Sequence, residues 1–249
     1  MPLRRKQRPD LTRRRRIGAG NRDAAGARRR TSSRTEILEA ALAIADCDGL
    51  DGLTIRKLAE RLGLSPMGIY RYFRNKAEII EELVDLVVGK YDVTNHNETD
   101  WAEWISTAFY LMRRGLREHP GVIPLLGTVA SSGPNAMAVM EEVLRVLRSG
   151  GLEGRAAAGA FHTLLSYTIG SVAIESHVYE RPAGEELDAE EQCRQSRALY
   201  EAAPRSLYPS VVEHAEHLAC RGSDDEFARG LRRILAGLKA EARPRPAAS

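Results

Sequence analysis

Hydrophobic and polar positions along residues 33–92 recur with a helical period that short breaks cut into four pieces. Ser33-x-x-Glu36 has the spacing of a capping box, in which side chains satisfy the bare N–H groups of a helix start. Ile37, Ala40, Ala41, Ile44 and Ala45 follow at helical spacing, and Gly49 closes the run. A second helix opens at Thr54, with Ile55, Leu58, Ala59 and Leu62 on one face and Gly63 as its stop. Ser65 as N-cap and Pro66 at the first helical position open a third. Asn75-x-x-Glu78 opens a fourth, striped by Ile79, Ile80, Leu83 and Val87.

Beyond Asn97 the same period predicts helices at 100–118, 121–127, 134–149, 154–178, 206–220 and 224–240. The last begins with the capping box Ser223-x-x-Glu226 and carries Phe227, Leu231, Ile234, Leu235 and Leu238 as one stripe. Residues 181–204 are polar and acid-rich, which predicts a loop with a short helix near Gln195–Ala203. No strand pattern and no repeat appears, so the expected fold is all-α. Residues 1–31 read as a disordered arm, 32–92 and 93–242 as two domains, and 243–249 as a flexible tail.

Charge sharpens this division. The 249 residues sum to only +3, yet residues 1–34 alone hold 13 Lys/Arg and two acids. An arm of net +11 therefore precedes a mildly acidic body. Three scattered cysteines, Cys47, Cys193 and Cys220, suggest neither a disulfide framework nor a cysteine zinc site. Ala156 to Ile174 runs 19 residues without a charge, but Gly159, His162, Thr163, Ser166, Thr168, Gly170 and Ser171 make it too polar for a lone membrane span. A helix buried inside protein fits better. No secretory signal follows the basic N-terminus, and the expected compartment is the cytoplasm.

Thr54 to Phe73 holds the chemistry. A helix of about nine residues, a turn at Gly63-Leu64-Ser65 and a second short helix have helix-turn-helix proportions. The string GLTIRKLAERLGLSPMGIYRYFRNKAEII, Gly52 to Ile80, resembles the DNA-binding domain of the tetracycline-repressor (TetR) family. It has the G-L-x-T, the L-A-x-x-L-G-[LV], the Y-x-[YH]-F and the [RK]-N-K-x-x-[LI] in order and without a gap. The resemblance implies an N-terminal three-helix helix-turn-helix DNA-binding domain and a C-terminal helical ligand-binding and dimerisation domain. Carried over by position, Arg34, Thr54, Arg56, Ser65, Pro66, Met67, Gly68, Tyr70, Arg71, Tyr72 and Lys76 are the implied DNA-binding residues. Thr54, Tyr70, Tyr72 and Lys76 are expected at phosphates, with packing as the alternative for the tyrosines. Arg71 is the expected base reader, since a guanidinium pairs bidentately with guanine. The basic arm is expected to follow the minor groove or the phosphates.

In such proteins the C-terminal helices hold a small-molecule pocket and the dimer interface. The 154–178 and 224–240 helices are the expected dimerisation pair. Trp104, Phe109, Met112, Leu125, Met137, Met140, Phe161, His162 and Leu165 are candidates to line the pocket. Leu125 stands where tetracycline-binding members place a magnesium-binding histidine, and Ile174 where they place a glutamate. A less polar effector than magnesium–tetracycline is expected. His214 and His217 have a metal-compatible spacing but no third ligand, so neither a metal nor a cofactor is expected. No nucleophile motif or phosphate loop argues for an enzyme. The predicted protein is a cytoplasmic, homodimeric repressor of a palindromic operator, released by a small molecule. The alternative is an effector-independent architectural DNA binder held by its arginine-rich arm.

Overall fold

The computed structural model describes residues 33–92, 98–126, 133–175, 189–219 and 222–242, and among them every regular element is helical. The arm 1–31 and the tail 243–249 lie outside the described residues. Helix α1 (Arg34–Gly52) starts on the expected Ser33–Glu36 capping box. Gly49 takes a φ of 70, breaking the helix before a last turn. Helix α1 buries a broad face: Leu38 and Leu42 sit inside with Ile37, Ala41, Ile44 and Ala45, while Glu36, Glu39, Cys47 and Asp48 are exposed. It packs on α2 (Ile55–Leu62), α4 (Lys76–Lys90) and a 3₁₀ segment, Pro120–Leu125. Between α2 and α4, Gly63 adopts the left-handed conformation (φ 65) that turns the chain sharply into α3 (Pro66–Tyr70).

The C-terminal part comprises α5 (Trp101–Glu118), α6 (Pro134–Ser149), α7 (Arg155–Glu175), α8 (Ala189–Glu201), α9 (Pro209–Glu213), α10 (Ala215–Ala219) and α11 (Asp224–Glu241). Two apolar clusters divide the interior. One joins α1–α4 to Leu116, the 3₁₀ segment and Val172 of α7, so the N-terminal helices and the core share a single hydrophobic interior. The other packs α5, α6, α7 and α11 around Trp104, Phe109, Phe161 and Phe227. Tyr167 of α7 stacks on Phe227 of α11 with ring centroids 5.2 Å apart. Helices α8 to α10 pack chiefly on one another and leave Leu199, Leu207 and Tyr208 exposed.

Several sequence expectations need correction. The 121–127 helix is the 3₁₀ segment, because Pro124 offers no N–H to an α-helical ladder. The 206–220 helix is two short ones, split where His214 leaves helical geometry. The 181–204 loop contains α8, which is longer and earlier than the expected short helix; Glu190 and Glu191 favour its first turn. Cys193 is disulfide-bonded, against the expectation of no disulfide, whereas Cys47 is free and exposed. Helix α7 is long and apolar enough to cross a membrane, but one face packs inside the protein on α5, α6 and α11. The opposite face, with Ala158, Gly159, His162, Thr163 and Ser166, is exposed, so burial within the protomer is one-sided.

One buried charge ties the core together. Arg113 of α5 is 2% exposed and lies over the Phe227 ring at 4.8 Å. Its guanidinium donates to Glu175 at 2.8 Å, to Asp224 at 2.6 Å and to the Gly222 carbonyl at 3.0 Å. It thereby joins the ends of α5 and α7 to the start of α11. Removing one partner of a buried pair leaves the other desolvated and unmatched. Arg113→Ala is expected to lower stability by about 3 kcal/mol, read from urea unfolding. A loss under about 1 kcal/mol, the range of exposed ion pairs, would show that the network is effectively solvated.

Candidate nucleic-acid interface

The turn between α2 and α3 is built by local chemistry. Thr54 accepts the Lys57 N–H at 3.1 Å and so caps α2, while Ser65 accepts the Gly68 N–H at 3.2 Å and caps α3. Leu58, Ala59, Ile69 and Phe73 point into the head's interior. Small Ala59 stands among these larger side chains, where α2 meets its neighbours. With Ile69 inward, α3 presents Met67, Tyr70 and Arg71 outward. Tyr70 is 47% exposed. Tyr72 is half-buried and packs against the head's interior, the packing alternative given for it.

Around this face Thr54 is exposed and keeps its own O–H as a donor. Arg56 is exposed beside Glu60 at 2.8 Å, an i,i+4 pair on the solvent side of α2. Lys76 reaches back to the Leu50 carbonyl at 3.2 Å, which fixes its ammonium near the start of α4. Gly68 is half-buried, and a Cβ there would make only ordinary contacts with Leu64 and Ser65. Met67, Pro66, Arg71 and Ser65 are all exposed.

The Arg34 guanidinium donates to Glu82 at 2.9 Å, to Glu78 at 2.8 Å and to the Tyr72 carbonyl, and it lies 4.2 Å over the Phe73 ring. These hydrogen bonds, with Glu82 first and Glu78 next, hold its pKa above the ordinary arginine value. Arg34 thus staples the start of α1 to α4 and to the end of the recognition segment, with its side chain still 42% exposed. Glu78 answers it. The Arg74 backbone N–H foremost, then the Arg34 side chain, pull the Glu78 carboxyl from the usual 4.5 down to about 2.

Sequence reasoning passed over the joint between head and core. The Asp46 carboxylate of α1 lies 2.8 Å from His119 Nδ1 and accepts the Gly121 N–H at 3.3 Å. The backbones meet so closely there that a Cβ on Gly121 would stand 2.3 Å from the Ala45 carbonyl oxygen. Asp85 of α4 accepts the Ala136 N–H at 2.9 Å and the Asn135 side chain at 3.0 Å, capping α6 from another helix. A cap supplied in trans has no local sequence signature.

The predicted pocket residues fall into two groups. Trp104, Phe109 and Phe161 are buried in the α5–α7–α11 cluster, with Met140 and Leu165 partly buried against it. Leu125 belongs to the head-side cluster, and Met112 touches both. Met137 is 53% exposed and His162 lies on the open face of α7, so neither lines the interior of a single protomer. Their helical positions point outward from α6 and α7. Among the described residues no group of three or more His, Cys, Asp or Glu gathers as for a metal ion. His214 Nδ1 lies 2.9 Å from the Ser210 carbonyl.

A capped helix-turn-helix with an outward basic and aromatic face, joined to a helical core, defines a DNA-binding transcriptional regulator. Residues 37–83 match the bacterial regulatory proteins of the tetR family, and residues 94–242 match the tetracyclin repressor-like C-terminal domain. The HTH-type transcriptional repressor DrrR1 of Streptomyces coeruleorubidus is 32% identical over 212 residues, 82% of this chain and 76% of that one. The class A tetracycline repressor from transposon 1721 of Escherichia coli is 29% identical over 81% of this chain and 88% of its own. Streptomyces coelicolor ActR, solved with actinorhodin, superposes with a TM-score of 0.73 at 28% identity, covering 85% of this chain and 97% of that one. The chain belongs to the TetR family. It is a ligand-responsive regulator that binds operator DNA as a dimer.

The Arg34–Glu78 staple makes the head sensitive to acid. A carboxyl held below its unfolded value contributes stability that is complete above 4.5 and is lost as pH falls toward about 2. Glu78→Gln is expected to lower stability at neutral pH and to flatten the acid side of the profile. Circular dichroism melting across pH reads both; an acid limb as steep as the wild type's would refute the assignment.

Proposed function

We propose that the protein is a cytoplasmic, non-catalytic repressor whose two protomers set α3 into successive major grooves of a palindromic operator. The observation that carries this reading is the outward face of the helix-turn-helix, where Met67, Tyr70 and Arg71 stand exposed among Thr54, Arg56 and Lys76. Arg71 and Arg56 are its base readers, and Thr54, Tyr70, Tyr72 and Lys76 hold phosphates. Half-sites lie about one helical turn apart, as two-fold symmetry requires. Access to the chromosome places the protein in the cytoplasm, and binding alone, without bond chemistry, accounts for regulation.

The dimer seam is assigned to α7 and α11, which pack on one another. The open face of α7 offers Gly159, His162, Thr163 and Ser166, and that of α11 offers Ala236, Gly237 and Ala240. Nothing lies within 4 Å of a Cβ built on Gly159 or Gly237, so both surfaces are free to receive another helix closely. The effector enters between the two apolar clusters, where Met112 touches both and Leu125 and Leu165 stand near by. Such walls suit a mostly apolar molecule with few hydrogen-bonding groups. The binding of actinorhodin by ActR, a relative of the same architecture, supports a small organic effector.

Deleting residues 1–31 separates the two DNA-binding modes. Expected in gel shifts is weaker binding with a shallower salt dependence and preserved sequence preference. Loss of all preference would instead favour the architectural reading. Arg71→Ala should cost about 1–3 kcal/mol of operator affinity and relax one position in each half-site. For the seam, Gly159→Glu is expected to leave the helical signal intact, since its side chain enters open space, while shifting sedimentation from dimer toward monomer. A variant that stays dimeric would move the interface elsewhere.

A further inference from the structure

Met67 is 71% exposed, and it stands apart from both apolar clusters. It occupies the first turn of α3 on the outward face that Tyr70 and Arg71 continue, opposite the buried Ile69. The side chains of the tip around it have little to offer a hydrogen-bonding partner. Pro66 has no backbone N–H, and the Gly68 N–H is given to Ser65 Oγ at 3.2 Å. No side chain on residues 66–68 carries a donor or a charge. A long apolar side chain held in the open at the leading end of a groove-reading helix is matched only by an apolar partner.

In the major groove the base edges of guanine, adenine and cytosine display hydrogen-bonding groups, and the apolar feature is the C5-methyl of thymine. We propose that Met67 is a specificity-determining residue that packs against the C5-methyl of one thymine in each operator half-site. This inference rests on the reading that α3 enters the major groove. The unbranched thioether suits the role, because it extends and adapts without the fixed shape of a branched side chain. Gly68 alongside adds no side chain to hold the tip away from the bases.

The test uses the full-length protein and a duplex obtained by in-vitro selection. Each thymine of a half-site is replaced in turn by deoxyuridine, which keeps every pairing and groove hydrogen bond and removes only the methyl. At one position per half-site, uracil is expected to weaken wild-type binding about fourfold, the ratio that burying one methyl group supports. Met67→Ala should bind the thymine and uracil duplexes equally while melting at the wild-type temperature. If no uracil substitution affects the wild type, or if Met67→Ala keeps the full methyl dependence, the assignment is overturned. Failure of the selection to yield any preferred duplex would instead overturn the groove-reading role of α3 itself, and this inference with it.

Discussion

The reading head stays aligned with the rest of the protein because the broad apolar face of α1 is buried, and its burial cannot be completed by the head alone. Ile37, Leu38, Ala41, Leu42 and Ile44 need Leu58, Ile69, Phe73 and Leu83 from the head, and Val122, Ile123 and Leu125 from the core. Gly121 lets the two backbones approach until no side chain fits between them. Close-packed interiors transmit displacement instead of absorbing it. A helix-turn-helix fastened this way follows the core, which is what a sensor needs from its output.

Polar contacts then decide how α1 and α4 are held. Arg34 binds the start of α1 to Glu78 and Glu82, and Asp46 binds its far end to His119 and Gly121. Lys57 of α2 reaches Asp48 of α1 at 2.8 Å. These groups are partly exposed, so each adds little energy on its own. Their value is geometric: they fix where the recognition segment stands relative to a hydrophobic interior that would tolerate small slippage.

What was legible in the sequence follows the range of each cause. The caps at Ser33, Thr54, Ser65, Asn75 and Ser223 act within three residues and all five side chains cap their helices, although at Ser223 the expected box is only half made, Glu226 pairing with Arg229 instead. The left-handed turn at Gly63 is equally local. The outward residues of α3 were legible because Ile69 and Phe73 fix its inward face. The pairing of Arg34 with α4 has no local sequence signature, because its partners lie 44 and 48 residues away. Arg113 hid within an apolar stripe of α5, and its partners on α7 and α11 are 62 and 111 residues distant. Pro124 announced its own effect, but the helical period around it was given more weight. The open face of α7 lacks charge because it is small and uncharged, not because it is buried within the protomer.

Helix α4 touches both the recognition segment and the core. Its N-terminal half is stapled to α1 and the recognition segment through Glu78 and Glu82, and its C-terminal half caps α6 through Asp85. A ligand acts on such a lever only by binding one geometry better than the other. Losing a helix cap costs about 1 kcal/mol, so displacing α6 from Asp85 in both protomers amounts to about 2 kcal/mol, or about thirtyfold in an equilibrium. That lies within the usual range of coupling between two sites. A single cap per protomer supplied from another helix is therefore large enough to matter in an equilibrium between two geometries, while small enough for the binding of a small molecule to offset.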